Sequence, residues 1–181
     1  VSADYTVQEE SDFGDVKNGR FYLSGPIATD LLGLSLRGSK QRRDAADIRY
    51  NGADGPGTAP TMGANPVRAD IENFGARLAF TPNRTHTVIL DADAGRQTYD
   101  NSKKQLGTLG LQGGYGPEQK YNRDQWTLSH TGRFGFGTLD SSYMVNKTET
   151  LGRRIPPGTP GAVAGSARTL EVESQVFDTK L

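Results

Sequence analysis

The chain of 181 residues has no cysteine, no excess of either charge and no long apolar run. Without cysteine it can form neither a disulfide nor a thiolate metal site. Its 21 basic and 21 acidic residues cancel, so no surplus of cations is available to neutralise phosphates, and nucleic acid is not an expected partner. The longest apolar piece, LLGLSL from Leu31 to Leu36, is far shorter than the roughly 18 residues that a transmembrane helix needs.

Hydrophobic residues make up only 34% of the chain, which is little for an ordinary compact core, whereas glycine is abundant at 23 residues. No segment of useful length shows the period of an amphipathic helix. Apolar and polar residues alternate instead, in about eight segments separated by turn signals. This pattern predicts an all-β protein in which neighbouring strands pair antiparallel.

The clearest pair of strands is predicted at Glu72–Phe80 and His86–Tyr99, with a tight turn at Thr81-Pro82-Asn83-Arg84 between them. One face of the pair carries Phe74, Ala76, Leu78, Phe80, Val88, Leu90, Ala92 and Ala94. The other face carries Asn73, Gly75, Arg77, Asp91 and Asp93. The apolar row must therefore face either a protein core or a membrane.

Three more local features carry predictions. The Asn18-Gly19 pair is typical of a hairpin turn. A strand is predicted at Asp124–Phe134, after a polar, glycine-rich loop from Asp100 to Lys120. The last strand carries Leu170, Val172 and Val176 opposite Glu171, Glu173 and Gln175.

The connections between strands alternate in length. The short ones are Ile27 to Gly33, Pro82 to Thr85 and Gly135 to Gly137. The long ones are Ala45 to Arg68, Asp100 to Lys120 and Leu151 to Arg168, with Glu10 to Asn18 as the shortest of this set. Tight turns at one end and extended loops at the other are typical of an outer-membrane barrel, with periplasmic turns and extracellular loops.

A transmembrane barrel also explains the low hydrophobicity, because its strands alternate an outward apolar row with a polar lumen row and need no apolar core. Aromatic residues near strand ends fit the two membrane interfaces. They are Phe21, Tyr22, Phe80, Trp126, Phe134 and Tyr143. The alternative from pattern alone is a soluble β-sandwich with these aromatics in its core.

A series of segments in order covers nearly the whole chain: VQEESDFGD, GRFYLSGPI, LGLSLRGSKQRRD, GARLAFTPNRTHTVILDAD, YNRDQWTLSHTGRFGFGTLDSSYMVNKTE and LGRRIP. In this order they resemble the front part of the barrel of TonB-dependent outer-membrane receptors, in the branch of catecholate-siderophore and colicin I receptors. None of the segments is a short diagnostic motif, so the resemblance rests on the series as a whole.

The resemblance implies an antiparallel up-and-down barrel of 22 strands whose lumen is filled by an N-terminal plug. It implies that outer loops bind a ferric siderophore, which is imported when the TonB complex acts on the plug. Residues 1–181 then form a partial barrel domain of about 8 strands, without the plug, the coupling box or the C-terminal strands. The implied location is the outer membrane of a Gram-negative bacterium, with lipid, and a colicin or phage, as further partners.

Enzymatic chemistry has little support in this sequence. The two histidines, His86 and His130, stand far apart along the chain, and we expect them to be membrane-interface residues rather than ligands of a metal. Asp91 and Asp93 share a strand face, where the barrel makes them lumen-facing partners of charges such as Arg77. We therefore expect no catalytic residue, no metal site and no covalently bound cofactor; the ferric siderophore is the transported ligand.

Ferric catecholates are anionic and aromatic, so their site would use arginine or lysine for charge and aromatic rings for stacking. Candidates near the long loops fall into three groups. The first is Arg42, Arg43, Arg49 and Tyr50; the second is Tyr99, Lys103, Lys104, Tyr115, Lys120, Tyr121 and Arg123; the third is Arg153 and Arg154. The alternative functions are a porin-like channel and a soluble secreted β-domain that acts as a binding module; haem or cobalamin could replace the siderophore.

Overall fold

The computed structural model describes residues 2–6, 14–46, 67–102 and 114–181, and these contain eight β-strands. The strands are β1 Ser2–Thr6, β2 Val16–Ala28, β3 Leu32–Arg43, β4 Arg68–Asn83, β5 His86–Asp100, β6 Tyr115–Phe134, β7 Gly137–Arg154 and β8 Ala167–Lys180. They form one sheet in sequence order, and each pairs antiparallel with the next. This confirms the predicted antiparallel up-and-down architecture; within this chain the sheet is open.

No second sheet packs on either face within the described residues. Their buried apolar side chains are limited to Ala46, Val67 and Ala69, while large ones such as Leu90 and Trp126 are 42% and 40% exposed. A β-sandwich would bury these side chains between two sheets. The sandwich interpretation is therefore wrong, and the apolar row faces away from any core of this chain.

The register separates the side chains into two faces, which we call the outer face and the inner face. On the outer face, Leu34 pairs with Leu78, Leu78 with Leu90, and Leu90 with Leu128, so one row of leucines crosses four strands. On the inner face, Arg77 pairs with Asp91, and Asp91 with Thr127. The predicted faces of the β4–β5 hairpin are as observed, and an apolar outer band is what a lipid environment requires.

The outer band ends abruptly in a belt of charges toward the long connections. Beyond Phe74 the next outer-face residue is Glu72, and beyond Trp126 it is Asp124. Ion pairs cross the strands at this level: Lys40 Nζ to Glu72 at 2.5 Å, Arg96 Nη2 to Asp124 at 2.6 Å and Lys147 Nζ to Glu171 at 3.1 Å. Charged groups avoid hydrocarbon, so this belt is the expected extracellular boundary of the apolar band.

The β4–β5 turn lies two residues later than predicted. The strands extend to the pair Asn83–His86, after a bulge beyond Phe80, and only Arg84 and Thr85 form the turn. Asn83 Oδ1 accepts hydrogen bonds from the backbone N–H groups of Thr85 and His86, both at 2.9 Å. This asparagine side chain replaces a backbone turn contact and closes the two-residue turn.

Other boundaries also differ from the prediction. Asn18-Gly19 lies within β2, where Gly19 pairs with both Ala3 and Lys40, so the predicted turn there is wrong. The strand β6 begins at Tyr115 rather than Asp124, so part of the predicted loop belongs to the sheet. Strands of an outer-membrane barrel need only about 9–11 residues to cross the bilayer. The strands β4, β6 and β7, with 16, 20 and 18 residues, are longer than this minimum.

Two side-chain placements contradict the expected faces. Leu170, Val172 and Val176 lie on the inner face, because Val172 pairs with Thr148 and Val176 with Met144. Tyr22 is also on the inner face, 61% exposed, and donates a hydrogen bond to Ser35 Oγ at 3.5 Å, so it is not an interface aromatic. Within the described segments, no helix is both long and apolar enough to cross a membrane.

Candidate functional site

An open depression lies on the inner face, at the end of the sheet that carries the long connections. Its lining residues are Gln41, Arg43, Ala69, Ile71, Gln97, Tyr99, Tyr115, Gln119 and Tyr121. Four of them, Arg43, Tyr99, Tyr115 and Tyr121, are among the candidates predicted from the sequence. Strand pairing brings together residues from β3, β4, β5 and β6 that the intervening loops separate along the chain.

Two tyrosine rings form the centre of the depression. The ring centroids of Tyr99 and Tyr121 are 5.8 Å apart and the rings meet edge to face at 80°. This is a favourable geometry for an aromatic pair, worth about 0.5–1.5 kcal/mol beyond burial. The two rings therefore hold each other in place and present aromatic surface to the lumen.

Each tyrosine hydroxyl donates its hydrogen bond to a glutamine on the same strand. The Tyr99 hydroxyl reaches Gln97 Oε1 at 3.2 Å and the Tyr121 hydroxyl reaches Gln119 Oε1 at 3.3 Å. Gln119 is only 5% exposed. A buried amide needs hydrogen-bond partners, and the Tyr121 hydroxyl is one of them for Gln119. The two hydroxyl–glutamine contacts fix the orientation of the tyrosine rings.

A third tyrosine stacks with an arginine. The Arg153 guanidinium carbon lies 4.0 Å from the centroid of the Tyr115 ring, within cation–π range. Bulges in β6 and β7 produce this contact, since the register skips from Lys120 to Tyr115 and from Thr150 to Arg153. The bulges increase local twist and re-aim side chains.

Gly152 makes the close approach at this bulge possible. Its φ is +80°, a conformation that favours glycine. A Cβ on Gly152 would lie 1.8 Å from the Glu118 carbonyl oxygen. Only glycine therefore allows β6 and β7 to pair here, and the Tyr115–Arg153 stack depends on it.

Two further guanidinium groups lie on the inner face. Arg43 Nη2 donates to the Val67 carbonyl at 2.7 Å, and Arg123 Nε donates to Asn146 Oδ1 at 2.9 Å. Arg123 also contacts Gln125 Oε1. These contacts fix the position of the two guanidinium groups on the inner face. The depression thus combines aromatic faces with cations, which suits an anionic aromatic ligand.

The remaining candidates lie elsewhere. Arg42 and Lys120 are on the outer face, where they form ion pairs with Asp44 at 3.8 Å and Glu118 at 2.8 Å. Arg154 lies at the end of β7, and its backbone N–H donates to the Gly114 carbonyl. Arg49, Tyr50, Lys103 and Lys104 lie outside the described residues.

The residue pattern near the long loops did not identify the three glutamines or Ile71, which also line the depression. Gln97 and Gln119 precede Tyr99 and Tyr121 by two residues on their strands, so alternation places each glutamine on the same face as its tyrosine. For Gln119 this alternation applies only because β6 begins at Tyr115, so that Gln119 belongs to the strand and not to the predicted loop. Gln41 and Ile71 join them through the pairing of β3 with β4, which alternation alone does not show.

A second cluster occupies the middle of the inner face. Arg77 Nε lies 2.9 Å from Asp91, as predicted, and Arg37 Nη2 lies 2.5 Å from both Asp91 and Asp93. Arg37 is on β3 and the two aspartates are on β5, so its side chain passes over β4 at Gly75. A Cβ on Gly75 would lie 2.6 Å from Arg37 Nε. The ion pairs of this cluster therefore link β3, β4 and β5.

No protein-family model matches the chain. It is 27% identical over 176 residues to the probable TonB-dependent siderophore receptor PirA of Acinetobacter baumannii. This match covers 92% of the present chain and 22% of that protein. The chain is 25% identical over 166 residues to the ferric enterobactin receptor PirA of Pseudomonas aeruginosa, covering 88% of the chain and 22% of the relative. The chain thus spans about a fifth of the length of the curated relatives it matches.

Solved structures show the same fold. The crystal structure of the siderophore receptor PirA from Acinetobacter baumannii matches 97% of this chain and 26% of that chain, with a TM-score of 0.72 and 26% identity. A mutant of the ferric enterobactin receptor PfeA from Pseudomonas aeruginosa, in complex with enterobactin, matches 96% of this chain and 27% of that chain, with a TM-score of 0.70 and 18% identity.

These comparisons confirm the resemblance that the sequence predicts. The relatives and structural neighbours are TonB-dependent siderophore receptors, and those named as enterobactin receptors are consistent with the catecholate branch. They also confirm the predicted location in the outer membrane of a Gram-negative bacterium. The relatives are transport receptors rather than enzymes.

Proposed function

We propose that this chain is part of the barrel wall of an outer-membrane receptor that binds and imports a ferric siderophore, with TonB-dependent energy coupling. The observation that carries the proposal is the cluster of Tyr99, Tyr121 and Tyr115 with Arg153 on the inner face, beside the long connections. A ligand that enters from outside the cell meets this end of the wall first. The barrel segment and the relatives' names support the same conclusion.

The ligand class follows from the chemistry of the depression. A ferric catecholate carries negative charge and several aromatic rings, which match the guanidinium groups of Arg43, Arg123 and Arg153 and the half-buried tyrosine rings. Ion pairing supplies attraction over distance, whereas ring stacking supplies shape selectivity. A catecholate therefore fits better than an uncharged or purely aliphatic ligand.

Import requires partners beyond this chain. In the proposed receptor, the TonB complex acts on a plug that fills the lumen and faces the inner-face cluster of Arg37, Arg77, Asp91 and Asp93. Outer-membrane lipid surrounds the outer band up to the charge belt. The long connections are the surface that a colicin or phage would reach.

Replacement of Tyr121 by alanine tests the ligand site. We expect ferric enterobactin to bind the full-length receptor about tenfold more weakly, because the variant loses a ring contact and the support of Tyr99, together about 1.4 kcal/mol. Quenching of intrinsic fluorescence during titration with ferric enterobactin measures the dissociation constant.

Lys120→Ala is the matched control, because Lys120 is the chain neighbour of Tyr121 but lies on the outer face. Its affinity should equal that of the wild type. Equal losses in the two variants would contradict the placement of the site. A receptor that conducts ions but binds no ferric siderophore would contradict the proposed function and favour a porin-like channel.

A further inference from the structure

An arginine of β8, Arg168, lies on the inner face at the level of the Tyr115–Arg153 stack. Arg168 is the cross-strand partner of Arg153, so the two side chains share a face. The bulge of this strand pair adds a residue to β7, so alternation along β8 is regular from Leu170, opposite Thr150, to Arg168. Register and alternation therefore agree that Arg168 faces the lumen.

This pairing places two like charges directly opposite each other. Cross-strand partners have Cβ atoms about 4.5–5.5 Å apart, and like charges in this position are destabilising. The Arg153 guanidinium leans toward β6, where its central carbon lies 4.0 Å from the centroid of the Tyr115 ring. Arg168 is exposed and forms no hydrogen bond or ion pair with the part of the chain that the structure describes. An anion bound by both guanidinium groups would offset their repulsion.

Two apolar side chains follow Arg168 on the inner face of β8. Leu170 and Val172 are 54% and 49% exposed. Leu170 pairs with Thr150, which pairs with Tyr121, so the leucine lies two strands, or about 10 Å, from that tyrosine. A ligand that covers these apolar side chains gains free energy, because it removes apolar surface from water.

We propose that Arg168, Leu170 and Val172 form a second wall of the siderophore site, beside the tyrosine depression. This inference rests on the proposed function. In a ferric catecholate the negative charge lies on the oxygens around the metal, and each ring presents an apolar edge. Arg168 and Arg153 bind the anionic oxygens, whereas Leu170 and Val172 contact the edge of a ring.

The combination of charge and apolar surface selects this ligand class. An inorganic anion would neutralise the two arginines but leave the leucine and the valine uncovered. A neutral apolar ligand would cover those side chains but leave the two guanidinium groups without a counter-charge. A ligand that is both anionic and aromatic satisfies the whole wall, and the same two properties suit the tyrosine depression next to it.

Titration of the full-length receptor in detergent with ferric enterobactin tests this wall, with quenching of intrinsic fluorescence as the signal. Arg168→Gln is expected to raise the dissociation constant about tenfold at low ionic strength, because a charge-assisted contact is lost. The difference from the wild type should shrink as sodium chloride is added, since salt screens the attraction. Leu170→Ser is expected to raise the dissociation constant about threefold at every salt concentration, because it removes apolar contact rather than charge.

Two residues of the same strand and face supply matched controls. Lys180 is a cation at the opposite end of β8, where it pairs with Asp140, and Val176 is an apolar residue opposite Met144. Lys180→Gln and Val176→Ser should both bind ferric enterobactin as the wild type does. Arg168→Lys should retain most of the affinity, because it keeps the charge. Circular dichroism of each variant verifies that the barrel is folded.

The possible failures are distinguishable. Equal dissociation constants for the wild type, Arg168→Gln and Leu170→Ser would overturn the second wall and leave the proposed function intact. An equal loss in Lys180→Gln would also overturn the wall, because the effect of Arg168 would then be one of net charge. A wild-type receptor that binds no ferric siderophore would overturn the wall and the proposed function together.

Discussion

Leu90→Arg is expected to lower the free energy of unfolding of the full-length receptor by about 2–4 kcal/mol in a bilayer. Leu90 lies in the middle of the apolar outer row of β5, between Leu78 on β4 and Leu128 on β6. An arginine there would place a guanidinium group in hydrocarbon, where neither water nor a carboxylate solvates it. Urea unfolding in lipid vesicles, followed by tryptophan fluorescence, measures the change.

Thr127→Arg is the control for this substitution. Thr127 is one strand away from Leu90, but it faces the inner side, opposite Asp91. The same side chain should therefore cost less than about 1 kcal/mol there, because it remains in a polar environment beside a carboxylate. If the two variants lose the same stability, the outer face does not contact lipid.

Gly75→Val is expected to destabilise the receptor by about 1–2 kcal/mol, because the added side chain displaces the Arg37 guanidinium from Asp91 and Asp93. A Cβ at this position would lie 2.3 Å from Asp93 Oδ1 and 2.6 Å from Arg37 Nε. The guanidinium group could then no longer pass over β4 to both aspartates. The atoms nearest that Cβ are the ends of flexible side chains, which can move aside, so the loss comes mainly from the displaced ion pairs and is limited by their partial exposure, 36% for Arg37 and 49% for Asp93.

Gly19→Val is the matched control, since a Cβ on Gly19 would have no atom within 4 Å. Valine fits a strand better than glycine does, so this variant should be as stable as the wild type or slightly more stable. The same unfolding experiment compares the two variants. Equal stability of Gly75→Val and the wild type would show that Arg37 does not need the path over β4.

The β4–β5 hairpin shows how far alternation predicts this fold. Since successive side chains of a strand point to opposite faces, the sequence alone was sufficient to separate Leu78 and Leu90 from Arg77 and Asp91. It was not sufficient to show that Arg37 reaches Asp91 and Asp93, because Arg37 lies 54 and 56 residues away along the chain. Asp91 is therefore more constrained than a solvated lumen carboxylate.

Strand β8 shows where alternation fails. Its apolar residues, Leu170, Val172 and Val176, share a face as predicted, but that face is the inner one. Periodicity groups side chains without saying which group faces lipid. The register against β7 decides, and a shift of one residue would exchange the two faces.

For the candidate site, too, the sequence predicted the residue types and the strand register decided which of them lie together. Composition near the long loops predicted Arg43, Tyr99, Tyr115, Tyr121, Arg123 and Arg153 as residue types suited to an anionic aromatic ligand, and the structure places all six on or beside one inner-face depression. The same criterion also selected Arg42 and Lys120, which lie on the outer face in ion pairs. Residue type predicts chemistry, whereas strand parity decides which face displays it.

By itself, the sequence determined the class of the protein: antiparallel strands, an apolar row and a polar row, and short and long connections at opposite ends. These properties are local, because each depends on residues within one strand or one turn. Only the tertiary structure decided which side chains meet: the Tyr99–Tyr121 pair, the path of Arg37 over Gly75, and the contact of His86 with His130. Those contacts depend on bulges and register between strands, which are set by pairing across the sheet and not by the pattern within any one strand.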